Sequence, residues 1–179
     1  KAAVPVQDAS GRTIGNLTMP PEAAIVAVQR NDKTLDVKPD TLLKKGDIID
    51  FNSTMLAAMA RECGAGTIRS DIVKDDASFL ERRIIAAIAQ SDIVVINAGS
   101  SAGREDFTAD VIAKLGTVFI HGVAIKPGKP VILGMVQGRP VIGIPGYPVS
   151  AALTFNLFVR PLILAMQGLH APDPEAASA

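Results

Sequence analysis

A chain of 179 residues with 48% hydrophobic content is long enough for one packed domain, with or without an appendage. Its 18 basic residues balance its 18 acidic ones, which argues against a general nucleic-acid binder, and 4% aromatic content without tryptophan leaves little for base stacking. The one cysteine, Cys63, excludes an internal disulfide and a cysteine-rich zinc site; no secretory signal and no apolar span of membrane length stand out, so a cytoplasmic chain without membrane partners is expected.

The first 24 residues are short polar pieces punctuated by Gly11, Gly15, Pro20 and Pro21. Ala24–Arg30 predicts a strand, Thr34–Val37 a second and Ile48-Ile49 a third, with turns at Asn31-Asp32 and Lys44–Asp47. From Asn52 the pattern becomes helical. Asn52 or Ser53 can cap a helix that ends at Gly64, with Met55, Leu56, Met59 and Cys63 on one face. Thr67–Val73 alternates and predicts a strand, followed by Asp75-Asp76. Ser78 and Glu81 fit a capping box for a helix to about Gln90, with Leu80, Ile84, Ala87 and Ile88 as its buried stripe. Asp92–Ile96 is an unbroken apolar run, as in a strand covered on both faces.

The stretch Asn97–Asp110 (NAGSSAGREDFTAD) then joins that strand to a helix expected over Thr108–Leu115. Thr117–Ile120, Val131–Met135 and Val141–Ile144 predict strands, the last two joined by a turn at Gln137-Gly138. Val149–Met166 is a long apolar helix that Pro161 should kink or restart, because proline lacks the amide hydrogen. The tail from His170 to Ala179 has a disordered composition. Alternating helices and strands from Asn52 onward predict an open α/β sheet with helices on both faces. Ligands of such sheets sit beyond the carboxyl ends of the strands, where the loops follow.

Four loops carry chemistry. Gly99, Ser100, Ser101 and Gly103 expose backbone amides and hydroxyls before a helix start, which suits an anion and equally an ordinary strand-to-helix turn. Asp106 adds a carboxylate beside them, for a metal or a proton-transfer role. Asp75, Asp76 and Asp106 together could hold a magnesium ion, while the pair alone equally suits a polar strand exit. Lys126 and Lys129, in IKPGKP, put two ammonium groups on a proline-stiffened loop, suited to phosphate or another oxyanion, or simply to solvent. Gly146 and Ser150 lie in a last tight loop, where Ser150 could cap the final helix or donate to an anion. His121 is a lone histidine beside a glycine, and no hydrolase triad, Walker loop or HExxH motif is present.

Together, Asp75-Asp76, AGSSAGREDF, GVAIKPGKP and GIPGYPVSA resemble the molybdopterin molybdenumtransferase (molybdenum insertase) family in order and spacing, over roughly Asp50–Leu169. The resemblance implies a three-layer α/β/α molybdopterin-binding domain with a mostly parallel sheet. It implies insertion of molybdate into adenylylated molybdopterin with release of AMP, with Mg2+, in a homodimer. It implies that Asp106, Asp75 and Lys126 are catalytic, and that Asp75, Asp76 and Asp106 are the metal carboxylates. Gly99, Ser100, Ser101, Gly103, Lys129, Gly146 and Ser150 would then contact the pterin substrate. A non-catalytic binding module and an adenylyltransferase-like activity are the alternatives.

The departures from the family pattern are specific. Its glycine pair is Ala98-Gly99 here, its PGNPVS motif carries Tyr147 in place of Asn, and a further lysine of some members is Gly122. An STGDE-like loop after the first strand is missing from QRNDKTLDV. The family's elongated N-terminal and C-terminal β domains have no room, so a central domain of a longer protein is expected, which would be inactive alone if it needs them. Residues 1–49 are also similar in pattern to the small C-terminal β domain of potassium-uptake regulators, which makes them either a separate module or the first part of the α/β domain.

Overall fold

The computed structural model describes residues 11–17, 27–30, 33–35, 37–44, 48–50, 52–70, 76–98 and 104–169. Near the N-terminus, β1 (Ala27–Arg30), β2 (Lys33–Leu35) and β3 (Ile48–Asp50) form an antiparallel sheet in the order β2-β1-β3. Its core is small: Val28 and Leu43 are fully buried, with Ile14, Leu17, Leu35 and Val37 packed around them.

The second sheet organises the rest. Its strands are β4 (Val94–Ala98), β5 (Thr117–His121), β6 (Ile132–Val136) and β7 (Arg139–Pro145), in the order β4-β7-β6-β5. β7 runs parallel to β4 and antiparallel to β6, which is antiparallel to β5. Three strands therefore point the same way and β6 alone is reversed. The reversal is set by the β6–β7 hairpin, closed by Gln137 and Gly138 at φ 50° and 75°. Positive φ at both central positions matches the twist of paired strands, and glycine adopts it at no steric cost.

Helices cover both faces. On one, α2 (Ala77–Ile88) and α3 (Arg104–Leu115) bury Leu80, Ile84, Ile88, Ala109 and Ile112 against Val94, Ile132, Val136 and Val141. On the other, α1 (Asn52–Glu62) and the last helix bury Leu56, Phe155, Val159 and Ile163 against Val131, Ile142 and Ile144. Residues 141 and 142 face opposite cores because successive strand side chains alternate. The open sheet with helices on both faces expected from the alternation forms, as the three-layer α/β/α arrangement implied by the resemblance; its sheet is mixed, with one parallel pairing and two antiparallel ones because β6 is reversed.

Several local expectations change. Helix α2 is capped by Asp76, whose carboxylate accepts from the Phe79 amide at 2.8 Å, so Ser78 lies inside the helix and no Ser78 box starts it. Helix α3 begins at Arg104, four residues before Thr108, and takes Asp106 into its first turn. The described part of the expected 67–73 strand, residues 67–70, is irregular. Its side chains turn to helices instead: Arg69 donates to Thr54 at 2.7 Å, and Arg83 of α2 donates to Ser70 at 2.5 Å. Strand β4 is consequently a sheet edge among the described residues, and Val95 is partly exposed rather than covered.

The last helix is continuous from α4 (Pro148–Thr154) through a π-turn (Phe155–Val159) into α5 (Arg160–Met166). The π-turn sits immediately ahead of Pro161, where the ordinary ladder must lose a donor; Arg160 donates to the Phe155 carbonyl, one residue further back than in an α-helix. By length and composition Pro148–Met166 could cross a bilayer, contrary to the expectation that no such span exists. Here its Ala151, Phe155, Val159 and Ile163 pack into the sheet core. The expected tail, residues 170–179, lies outside the described residues.

Candidate functional site at the carboxyl edge of the sheet

Strand direction decides which loops can meet. β4 and β7 are parallel neighbours, and their last paired residues are Ala98 and Pro145. The carboxyl ends of β4 and β7 therefore lie side by side, and the Gly146-Tyr147 link follows Pro145 at that edge. β5 points the same way, so loop 122–131, between His121 and Ile132, leaves from that edge too. In open α/β sheets, this edge is where ligands bind.

A buried side chain ties the edge together. Asn52 opens α1 and has no exposed surface. Its amide nitrogen donates to the Gly146 carbonyl at 2.8 Å and, more weakly, to Asn97 Oδ1 at 3.3 Å. The start of α1, the end of β4 and the turn after β7 thus share one hydrogen-bonded centre. Sequence reasoning treated Asn52 only as a possible cap, because an asparagine ahead of an apolar-faced helix has the same signature whether its amide turns inward or outward. Gly146, expected as a substrate contact, has its carbonyl engaged in this tether.

The lysine loop is rigid in its backbone. Gly122 donates to the Val131 carbonyl at 2.7 Å, Val123 to Lys129 at 2.9 Å, and Val131 to Lys129 at 3.0 Å. Gly128 has φ 114° and is buried; a Cβ there would lie 2.9 Å from Ile125 Cδ1 and 3.1 Å from Thr154 Oγ1. Only glycine fits both the backbone and the space. With Gly128 turned inward, Lys126 and Lys129 are exposed on either side of it. Two compact ammonium charges on a fixed loop suit an oxyanion.

The acidic residues are placed less completely. Asp106 is the third residue of α3, at the helix end that follows β4. Asp75, Gly99, Ser100, Ser101 and Gly103 lie outside the described residues, as does the Asp106 side chain. Asp76 is exposed, and one of its oxygens is already the cap of α2. Among the described residues no group of three His, Cys, Asp or Glu side chains could hold a metal ion. The described donor set does not fit Mg2+ by itself, since it reduces to one partly engaged carboxylate.

Ser150 is buried as the third residue of α4, so it is not the cap; Tyr147 holds that position without a side-chain capping bond. His121 ends β5 with its side chain exposed. A cleft of about 930 Å3 runs along the open edge of β4, between α1, α2 and the last helix. It reaches the loop edge at Ser53 and Asn97, and is otherwise lined mainly by apolar residues such as Leu56, Ile84, Val95 and Phe155.

Comparison with known proteins agrees with this architecture. A family model described as a probable molybdopterin binding domain matches residues 32–165. The molybdopterin molybdenumtransferase of Haemophilus influenzae is 37% identical over 126 residues, 70% of this chain and 31% of that protein. Molybdopterin molybdenumtransferase 2 of Mycobacterium tuberculosis is 34% identical over 143 residues, 76% of this chain and 35% of that protein. The crystal structure of the molybdopterin biosynthesis MoeA protein from Pyrococcus horikosii superposes with a TM-score of 0.66 at 41% identity, covering 75% of this chain and 33% of that one. The chain thus spans about a third of the length of these relatives.

Proposed function

The chain belongs to the molybdopterin-binding domain family of molybdenum cofactor biosynthesis, and from that premise we propose that it holds adenylylated molybdopterin at the carboxyl edge of β4 and β7 for insertion of molybdate and release of AMP. The observation that carries this is the pairing of Ala98 with Pro145 in parallel strands, with Asn52 tying Asn97 of β4 to Gly146 after β7. Both reactants are oxyanions. Lys126 and Lys129, exposed on the loop that leaves the same edge, supply positive charge for them. The start of α3 follows β4, and the partial positive charge of a helix N-terminus favours a phosphate. Asp106 belongs to that first turn, and its carboxylate is the acid assigned to proton transfer. Molybdopterin holding needs only the edge and its positive groups; insertion needs the acid as well.

The test is titration of the chain with adenylylated molybdopterin and molybdate, following AMP. Wild-type chain should release AMP, and Asp106→Ala should lower the rate by on the order of 10²-fold or more with an unchanged melting temperature. Full activity in Asp106→Ala would remove that residue from the chemistry. Binding without AMP release from the wild-type chain would reduce the function to that of a binding module.

A further inference from the structure

Tyr147 occupies a position its own helix does not explain. It is the N-cap of α4, with φ −74° and ψ 133°, and its side chain makes no capping bond. Asn, Asp and Ser are preferred there because their short side chains satisfy the free amides of the first turn, and the family pattern has Asn. Tyrosine gives up that stabilisation. The residue is instead 58% exposed. Exposed large aromatics among the described residues are Phe119, which lies within edge strand β5, and Tyr147, which stands at the loop edge.

The backbone that presents this ring is held on every side. Pro145 ends β7 in register with Ala98, and the Gly146 carbonyl accepts from buried Asn52. The Tyr147 carbonyl accepts from the Ala151 amide at 2.7 Å, and Pro148 fixes the next residue at the helix start. An aromatic ring on an immobilised backbone has two side-chain torsions to order on binding, so little entropy is lost when a flat ligand stacks on it.

We propose that Tyr147 is a binding and specificity-determining residue, whose ring stacks on a planar nitrogen heterocycle of the ligand brought to this edge. The assignment rests on the function proposed above, and it adds the surface that selects a flat aromatic group. Adenylylated molybdopterin carries two such groups, the pterin and the adenine.

The chain has one tyrosine, so the signals of ring-labelled tyrosine report on this residue alone. Molybdopterin, neopterin and AMP are titrated separately into wild type, Tyr147→Phe and Tyr147→Asn, with affinity read by calorimetry. Stacking predicts an upfield ring shift with the heterocycle that binds, unchanged affinity in Tyr147→Phe, and roughly 10-fold weaker binding in Tyr147→Asn. Because Asn restores a capping side chain, Tyr147→Asn should melt about 2–4 °C higher without ligand. A shift with neopterin identifies the pterin as the stacked group, and a shift with AMP the adenine. Molybdopterin binding with an unmoved tyrosine resonance and equal affinity in Tyr147→Asn overturns the stacking role alone. No binding of any of the three to wild type overturns both the stacking role and the function it rests on.

Discussion

Changing Asn52 to Ala should destabilise the chain by about 2–4 kcal/mol, as the sum of a lost buried hydrogen bond, a carbonyl left without its donor and a small cavity. Asn52 has no exposed surface, so water cannot replace the missing amide without entering the core. The loss should be local as well as global. The tether joins the end of β4 at Asn97 to the turn at Gly146. Amide exchange at 97–98 and 146–150 should therefore accelerate more than exchange in the middle of β6 or β7. Asn52→Asp sharpens the test, because a carboxylate places an acceptor opposite two acceptors. It should be at least as destabilising as Ala at neutral pH. Urea unfolding of the three proteins measures this; a midpoint for Asn52→Ala within error of wild type would mean the tether contributes nothing.

The second large effect lies in the core that supports the same edge. Phe155→Ala should cost about 3–5 kcal/mol, the range for emptying a buried aromatic site. Phe155 is 1% exposed and packs among Leu56, Val131, Ile142 and Ile144. It also opens the π-turn ahead of Pro161, and its carbonyl accepts from the Arg160 amide. Phe155→Leu keeps most of the volume and should cost clearly less than Ala. Val149 is on the same helix and 73% exposed, so Val149→Ala should change stability by no more than about 0.5 kcal/mol. Equal midpoints for Phe155→Ala and Val149→Ala would show that the last helix is not the core helix described here.

What the sequence disclosed follows from which signals are local. The buried stripes of α2 and of the last helix were legible because 3.6-residue periodicity is a property of a short window. The Gln137-Gly138 turn was legible because its backbone demands positive φ. Boundaries were less so. Asp76 outcompeted Ser78 as the cap of α2, and either residue type suits that role. The alternation in 67–73 suggested a strand, but Arg69 and Ser70 are bonded to the flanking helices in the described part. The edge formed by 98, 122–131 and 146–147 needed strand directions, which long-range pairing sets and no window contains. Asn52 was missed for that reason, since its partners lie 45 and 94 residues away. Tyr147 was noticed only as a departure from a pattern, and its exposure and lack of a capping bond emerge from the fold.

Hydrogen exchange of the chain with and without molybdopterin tests the location of the site most directly. Binding at the carboxyl edge predicts slowed exchange in 97–106, 122–130 and 146–150, with the β1–β3 sheet and the β5 edge unchanged. Protection confined to β1–β3, or to the β5 edge around Phe119, would place the ligand elsewhere and contradict the assignment.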